Sequence, residues 1–381
     1  MQIKVSAISD AEGMKRIEHS YDAFISEHGA HSFLLSGFVS QFLRPLSSNF
    51  RPFILVFYID EKIIGVAPLE IRDGLFYRKC YFLMREWFPS DFVFDPSYTK
   101  VLLRETLTIL FKNMGSLFFE FHTLAKSQYL SDMKQVCGEL GISFTSFRST
   151  GHAIIPVKGS WNQFEKSRRH LRKDFERTGR RMSEMGPLSI EWFRNGDNQD
   201  EALKRILEVE MASWKSINQP PEKAKIDPQI LYIFNGCIQI ASTVPTFNWG
   251  VAVLELNGTA IAHSMFLDYN GYAYLCKTSF NNSYRKYGPG IYINYAVVRE
   301  LMSKTEIKMI DFMSDFPFSH KWTSDIVPVN RFGISRNALG QLYLIMALLH
   351  THINNPTRKI FVETIKDLAF ILKTKISSRK R

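Results

Sequence analysis

The residues of this chain best suited to chemistry are Arg285-Lys286-Tyr287-Gly288-Pro289-Gly290, an R-x-x-G-x-G run. A glycine-rich loop that opens a helix offers unpaired backbone N–H groups and the positive end of a helix dipole, which together suit a phosphate or pyrophosphate. The N–H groups of Arg285, Lys286, Tyr287, Gly288 and Gly290 are the expected donors, and the Arg285 and Lys286 side chains add positive charge. Pro289 has no N–H, but its fixed φ suits the first position of a helix.

Transfer chemistry also needs a proton acceptor within hydrogen-bond reach of the attacking group. His263, on a strand that follows the Asn257-Gly258 turn, is the expected general base; a buried structural imidazole is the other reading of it. Asp311 closes a strand, at the kind of end where α/β sites gather, and reads equally as a structural hydrogen-bond acceptor. Lys321 and Trp322 follow that strand and are expected to contact the acceptor, or else to be a solvated cation beside a packed ring. Arg168 and Arg172 lie on a basic helix and are expected to hold an anionic acceptor. Trp214 and Lys215 follow Glu210 at helical spacing, as acceptor contacts or as a core ring with a flanking ion pair. Cys276 sits in mid-strand without a partner and reads as packing, not as a nucleophile.

The elements that must position these residues follow from periodicity. Ala273–Phe280 alternates as a strand, Ile291–Ser303 carries Ile291, Tyr295, Val298 and Met302 on one helical face, and Ile307–Phe312 reads as a strand again. A hairpin precedes this unit, Val251–Leu256 and Ala260–Leu267 joined at Asn257-Gly258. The first half repeats the order: a hairpin over Phe53–Leu69 turning at Asp60-Glu61-Lys62, a helix over Val101–Asn113 and a strand over Leu117–Phe121. That copy has Asp95-Pro96-Ser97-Tyr98 where the glycine-rich loop would be. Between the copies, Trp161–Met182 reads as one basic helix with an apolar stripe, and Asp200–Lys215 as another. The expected organisation is residues 1–150, residues 151–340 and a helical basic tail over residues 341–381.

Composition bounds the function. The chain has 381 residues, enough for two domains, and a formal net charge of +11 concentrated between Lys166 and Arg181 and again between Lys373 and Arg381. Such clusters suit phosphorylated ligands or an anionic membrane surface, with a solvated helix face as the plain alternative. The four cysteines are isolated, so neither disulfides nor a metal site is expected, and the usage fits a reducing cytoplasm. Met1–Ser20 lacks the apolar core of a secretory signal, and Leu342–Leu349 and Phe361–Leu372 are too short or interrupted to span a bilayer. Peripheral membrane contact is expected from the C-terminal helices; no sequence-specific nucleic-acid motif is present.

Taken together these motifs resemble the GNAT acyltransferase fold and, more narrowly, the CelD-like acetyltransferase family of cellulose biosynthesis, whose double units are similar to the Fem-type transferases. The resemblance rests on Gly65-Val66-Ala67-Pro68-Leu69, Pro89-Ser90-Asp91-Phe92, Ser167–Arg172, Glu210–Lys215, the Tyr287–Gly290 loop, and Ile310-Asp311-Phe312 with His320-Lys321-Trp322. It covers about residues 30–335, and departs at Asn281, where an acidic residue is common, and at Met313, where glycine is usual. The resemblance implies an α/β fold of mixed sheets in two tandem GNAT-like domains. It implies acetyl-CoA or another acyl-CoA as co-substrate, lying along Thr278, Ser279 and Phe280 with its pyrophosphate on the Arg285–Gly290 loop. Strand N–H groups would polarise the thioester carbonyl, and an amine or hydroxyl of a small molecule or glycan precursor would attack directly. A Fem-type transferase drawing on aminoacyl-tRNA, and a non-enzymatic binder of anionic ligands, are the two rival expectations.

Overall fold

The structure, a computed structural model, describes residues 2–28, 31–43, 50–73, 78–83, 90–113, 118–124, 129–213 and 228–336. The chain divides into two units, Met1–Thr150 with Pro328–Arg381, and Gly151–Val327. The first unit thus takes in the segment that starts at Pro328 as well as the chain up to Thr150. The reason is strand pairing: Val329–Ser335 hydrogen-bonds antiparallel to Phe118–Leu124 of the first unit.

The first unit runs β1 (Lys4–Ile8), α1 (Ala11–His28), α2 (Ser36–Phe42), β2 (Phe50–Ile59), β3 (Lys62–Asp73), β4 (Arg78–Phe82), β5 (Val93–Phe94), α3 (Thr99–Thr108), β6 (Phe118–Leu124), α4 (Tyr129–Glu139) and the start of β7 (Ser143–Pro156). With β13 (Ile326–Ser335) the sheet order is β1-β2-β3-β4-β6-β13, and β5 pairs with β3. Among the described residues of this unit, only β4 and β6 pair in parallel, with α3 in the chain between them. Phenylalanine fills this core: Phe82 meets Phe92, Phe119 and Phe121 edge-on at ring separations of 4.8, 5.4 and 5.7 Å. Such edge-to-face pairs each add about 0.5–1.5 kcal/mol beyond the area they bury.

The second unit continues with α5 (Trp161–Ser167), α6 (Arg169–Ser183), β8 (Leu188–Arg194), α7 (Gln199–Met211), α8 (Pro228–Thr243), β9 (Asn248–Leu256), β10 (Thr259–Tyr269), β11 (Tyr272–Phe280), α9 (Pro289–Ser303) and β12 (Met309–Asp311). Its sheet order is β7-β12-β11-β10-β9-β8, again with one parallel pair, β11 and β12, on either side of a helix. The repeated hairpin–strand–helix–strand order read from the sequence is therefore present in both mixed sheets. Two-residue turns at Asp60-Glu61, Asn257-Gly258 and Asn270-Gly271 all have positive φ at both positions, the geometry whose twist matches a tight hairpin. The third of these closes β10 onto β11 and so sets the register of the strand that leads into the glycine-rich loop.

One expected element differs. The basic segment is two helices, broken at Arg168, whose φ of −127° and ψ of 49° are not helical. A capping box at Ser160 and Gln163 starts α5, and the Arg168 Nε–H donates to the Trp322 carbonyl at 3.2 Å, fixing the break.

Candidate functional site

The glycine-rich run folds as a short 3-10 helix, Asn282–Tyr287, that ends at Gly288 and passes into α9. Gly288 has φ 74°, a left-handed conformation open to glycine at little cost, and a Cβ there would lie 3.1 Å from Thr178 Cγ2. Pro289 occupies the first helical turn, as its fixed φ suits. The 3-10 helix takes up backbone donors internally: Tyr284 N–H donates to the Asn281 carbonyl and Gly288 N–H to the Arg285 carbonyl. The donors of this run are thus fewer than its glycines imply. Gly290 N–H has no acceptor among the described residues and faces the start of the helix dipole.

The strand before the loop has an open edge. β11 pairs with β12 only at Tyr272, Ala273 and Tyr274. Beyond Tyr274 the two strands part, and among the described residues nothing pairs with that edge over Leu275–Phe280. Two local features produce the divergence. Phe266 pairs with Leu275 and Met265 with Lys277, so Cys276 is an extra residue bulged out of the ladder. On the other strand, the Asp311 carboxylate accepts the Met313 N–H at 2.5 Å, and Met313 turns the chain with φ 52°. That left-handed position explains why glycine suits it, since a side chain there costs roughly 1–2 kcal/mol. Met313→Gly is therefore expected to stabilise the protein by about 0.5–1 kcal/mol after the extra freedom of the unfolded glycine is subtracted, a gain measurable by urea unfolding.

A cavity of about 360 Å³ lies against the glycine-rich loop. Thr278, Phe280, Arg285, Gly288, Gly290, Lys321 and Trp322 line it, bringing together the β11 end, the loop and the segment after β12. Leu171, Ile291, Asn294 and Phe318 complete the wall, and the sequence reading had not placed them in a site. Asn294 had a readable signal, because it lies one turn after Gly290 on an otherwise apolar helix face. Its Oδ1 accepts hydrogen bonds from Thr278 Oγ1 at 2.8 Å and Ser264 Oγ at 3.1 Å, which fixes the floor of the cavity.

His263 and Ser279 do not line this cavity. They are register partners on β10 and β11, one residue out of phase with Thr278, so their side chains lie on the opposite sheet face. His263 is fully buried, and its Nε2 lies 2.9 Å from Glu210 Oε1 of α7. Burial pushes the Glu210 carboxyl up, but hydrogen bonds from His263 and Ser279 and the charge of Lys277 outweigh it and hold the group below its usual range. His263 Nδ1 and Ser213 Oγ are buried with no partner among the described residues. His263 is thus held as a buried imidazole, apart from the loop.

Asp311 is buried and holds the β12 turn; besides Met313 N–H, its partner is His152, with Nδ1 at 3.2 Å from Oδ2. Burial pushes the Cys276 thiol up, and the Asp311 charge adds to the shift, so Cys276 is no ready thiolate. Lys286 lies over the Tyr287 ring at 5.0 Å, and Arg181 over the same ring at 5.3 Å, so this pair braces the 3-10 helix rather than lining the cavity. Arg168 is committed to Trp322, and Arg172 is exposed and paired with Glu176 at 2.7 Å. Trp214 and Lys215, and the tail beyond residue 336, lie outside the described residues.

Comparison with known proteins bears on the fold. Residues 169–318 match the family described as "Acetyltransferase (GNAT) domain". No curated protein matches the sequence. Among solved structures, the chain resembles FemX with a TM-score of 0.56 and 13% identity, over 82% of this chain and 95% of FemX. It also resembles the C-terminal domain (DUF2156) of a putative lysylphosphatidylglycerol synthetase from Agrobacterium fabrum, at TM-score 0.56 and 11% identity, over 87% of this chain and 95% of that one. A conserved protein of unknown function from Bacteroides thetaiotaomicron matches at TM-score 0.53 and 12% identity, over 84% and 97% of the respective chains. At these identities the likeness is one of fold. The second unit, which holds the matched residues, has a GNAT-like fold.

Proposed function

We propose that the second unit transfers an acyl group from acyl-CoA to an amine or hydroxyl, by direct attack in a ternary complex. The observation that carries this reading is the open β11 edge over Leu275–Phe280, running into the start of α9. An extended amide-bearing arm can add to such an edge as a strand does, and a pyrophosphate at its end suits the helix start. The residues fit that group. Gly290 presents an unpaired N–H, Arg285 lines the same cavity, and a Cβ on Gly290 would stand 3.2 Å from Phe280 Cδ1, so glycine keeps the approach open. The bulge at Cys276 frees backbone from the ladder beside that edge, where N–H groups can stabilise a developing oxyanion. The raised Cys276 thiol argues for direct attack over a covalent cysteine intermediate.

For the acceptor, the CelD-like resemblance supports a carbohydrate or cell-envelope precursor. Lys321 and Trp322, on the cavity wall, are the residues assigned to it. A rival reading is favoured by the basic α6: a Fem-type transfer from aminoacyl-tRNA. The two separate in one experiment. Acetyl-CoA and longer acyl-CoAs are expected to raise the melting temperature, because a ligand that binds only the folded state stabilises it by RT ln(1 + [L]/Kd). Arg285→Glu should reduce the shift. No shift with any acyl-CoA, together with saturable, steeply salt-dependent tRNA binding, would overturn the proposal in favour of its rival.

A further inference from the structure

Phenylalanine is the dominant core residue of this chain, yet two neighbours are turned outward. Phe316 is 62% exposed and Phe318 44% exposed, and they are the exposed phenylalanines among the described residues. Their rings stack at 6.4 Å, and Phe318 is anchored edge-on against buried Phe312 at 6.2 Å, so the pair is held in place. Phe318 also forms part of the cavity wall, which makes the exposed aromatic surface continuous with the cavity mouth.

This pair stands beside the basic helix. The His170 ring lies 2.8 Å from the Lys321 carbonyl through Nε2, and Arg168 donates to the Trp322 carbonyl, so the first turn of α6 is tied to the segment that carries the rings. From Lys166 to Arg181 there are eight Lys or Arg residues against Asp174 and Glu176. Arg169 and Lys173, one helical turn apart, are exposed and have no acidic partner among the described residues. Exposed aromatic rings next to unpaired cations are the arrangement that enters the headgroup region of an anionic bilayer: the rings leave water and the cations meet lipid phosphates. Single-stranded nucleic acid would instead use open ring faces, whereas these two rings stack on each other. Among the described residues no helix is long and apolar enough to cross a membrane.

We infer that the Phe316–Phe318 loop and the first turns of α6 dock the second unit on an anionic phospholipid surface, with the cavity mouth facing the lipid. This goes beyond acyl transfer and also relocates the expected membrane contact, from the C-terminal helices to this loop. Each Lys or Arg near such a surface contributes about fivefold in affinity, which sets the expected lipid preference.

The test uses the full chain and vesicles of phosphatidylcholine, alone or mixed equally with phosphatidylglycerol, in a sedimentation assay without acyl-CoA. The wild type is expected to bind the anionic vesicles at least tenfold better than the neutral ones. Phe316→Ser with Phe318→Ser should weaken binding at least tenfold while lowering the melting temperature only by the lost Phe318–Phe312 contact, and Phe316→Ser alone should weaken it less at an unchanged melting temperature. Arg169→Glu with Lys173→Glu should remove the preference for anionic lipid. The inference is overturned if the wild type stays in the supernatant, if the double serine variant sediments like the wild type because the basic tail carries binding, or if the rings mediate self-association or RNA binding and no vesicle binding. None of these outcomes depends on acyl-CoA, so they are separate from the thermal-shift test of acyl transfer.

Discussion

Glutamate in place of Gly290 is expected to abolish acetyl-CoA binding while leaving the fold intact. Gly290 lies in the first turn of α9, in the cavity wall, with its N–H unpaired. An acidic side chain in the first turn is favourable for the helix itself, by about 0.3–1 kcal/mol, so the variant's own melting temperature should hold or rise slightly. In the cavity the same carboxylate occupies the approach to the helix start and repels a pyrophosphate. Its Cβ alone would press on Phe280 at 3.2 Å. A like charge within contact distance in a partly buried site costs several kcal/mol, or at least about a hundredfold in affinity. Gly290→Ala carries only the steric part and should bind less than tenfold more weakly. Calorimetric titration with acetyl-CoA measures both. A Gly290→Glu variant that binds like the wild type would remove the loop from the donor site.

The second large effect is on stability. Glu210→Ala is expected to destabilise the protein by about 3 kcal/mol, because it removes the partner of a fully buried histidine whose other ring nitrogen is already unpaired. Glu210→Gln keeps a hydrogen-bonding group of the same size and should cost less. Urea unfolding at pH 7 compares them, and a cost below about 1 kcal/mol for the alanine variant would mean that His263 finds another partner. The pH dependence follows from the direction of the Glu210 shift. Its carboxyl is held below its usual range in the folded chain, so as pH falls through the ordinary glutamate value of about 4.3 the unfolded chain takes up the proton first. Stability therefore rises with pH in that window. The Glu210 contribution is complete above it and is lost as pH falls through the lower folded value. Glu210→Gln should flatten this part of the acid-unfolding curve.

These two residues also mark how far the sequence could be read. The Gly288-Pro289-Gly290 start of α9, the Asp60-Glu61 and Asn257-Gly258 hairpins and the repeated strand–helix–strand order are local: each follows from φ preferences or from apolar spacing within a dozen residues. They were legible, and with them the mixed α/β class. Asn270-Gly271 carried the same turn signal and is the hairpin that registers β11. Glu210 was read as part of an ion pair flanking a core ring, because helical spacing shows its neighbours on α7 and cannot show β10. Asn294 and Phe318 went unnamed for a related reason: their partners, Thr278 and the cavity, are close only after folding.

By itself, then, the sequence determined where a glycine-rich helix start lies and that the hairpin–strand–helix–strand order occurs twice, since both are written in short-range pattern. Tertiary structure decided which side chains share that site. A one-residue phase difference along β11 sends Thr278 to the cavity and Ser279 to Glu210, and no local pattern says which sheet face the loop will meet. It also decided that β11 has an open edge, because that depends on a bulge at Cys276 and a left-handed Met313 acting on two strands that the chain brings together across α9.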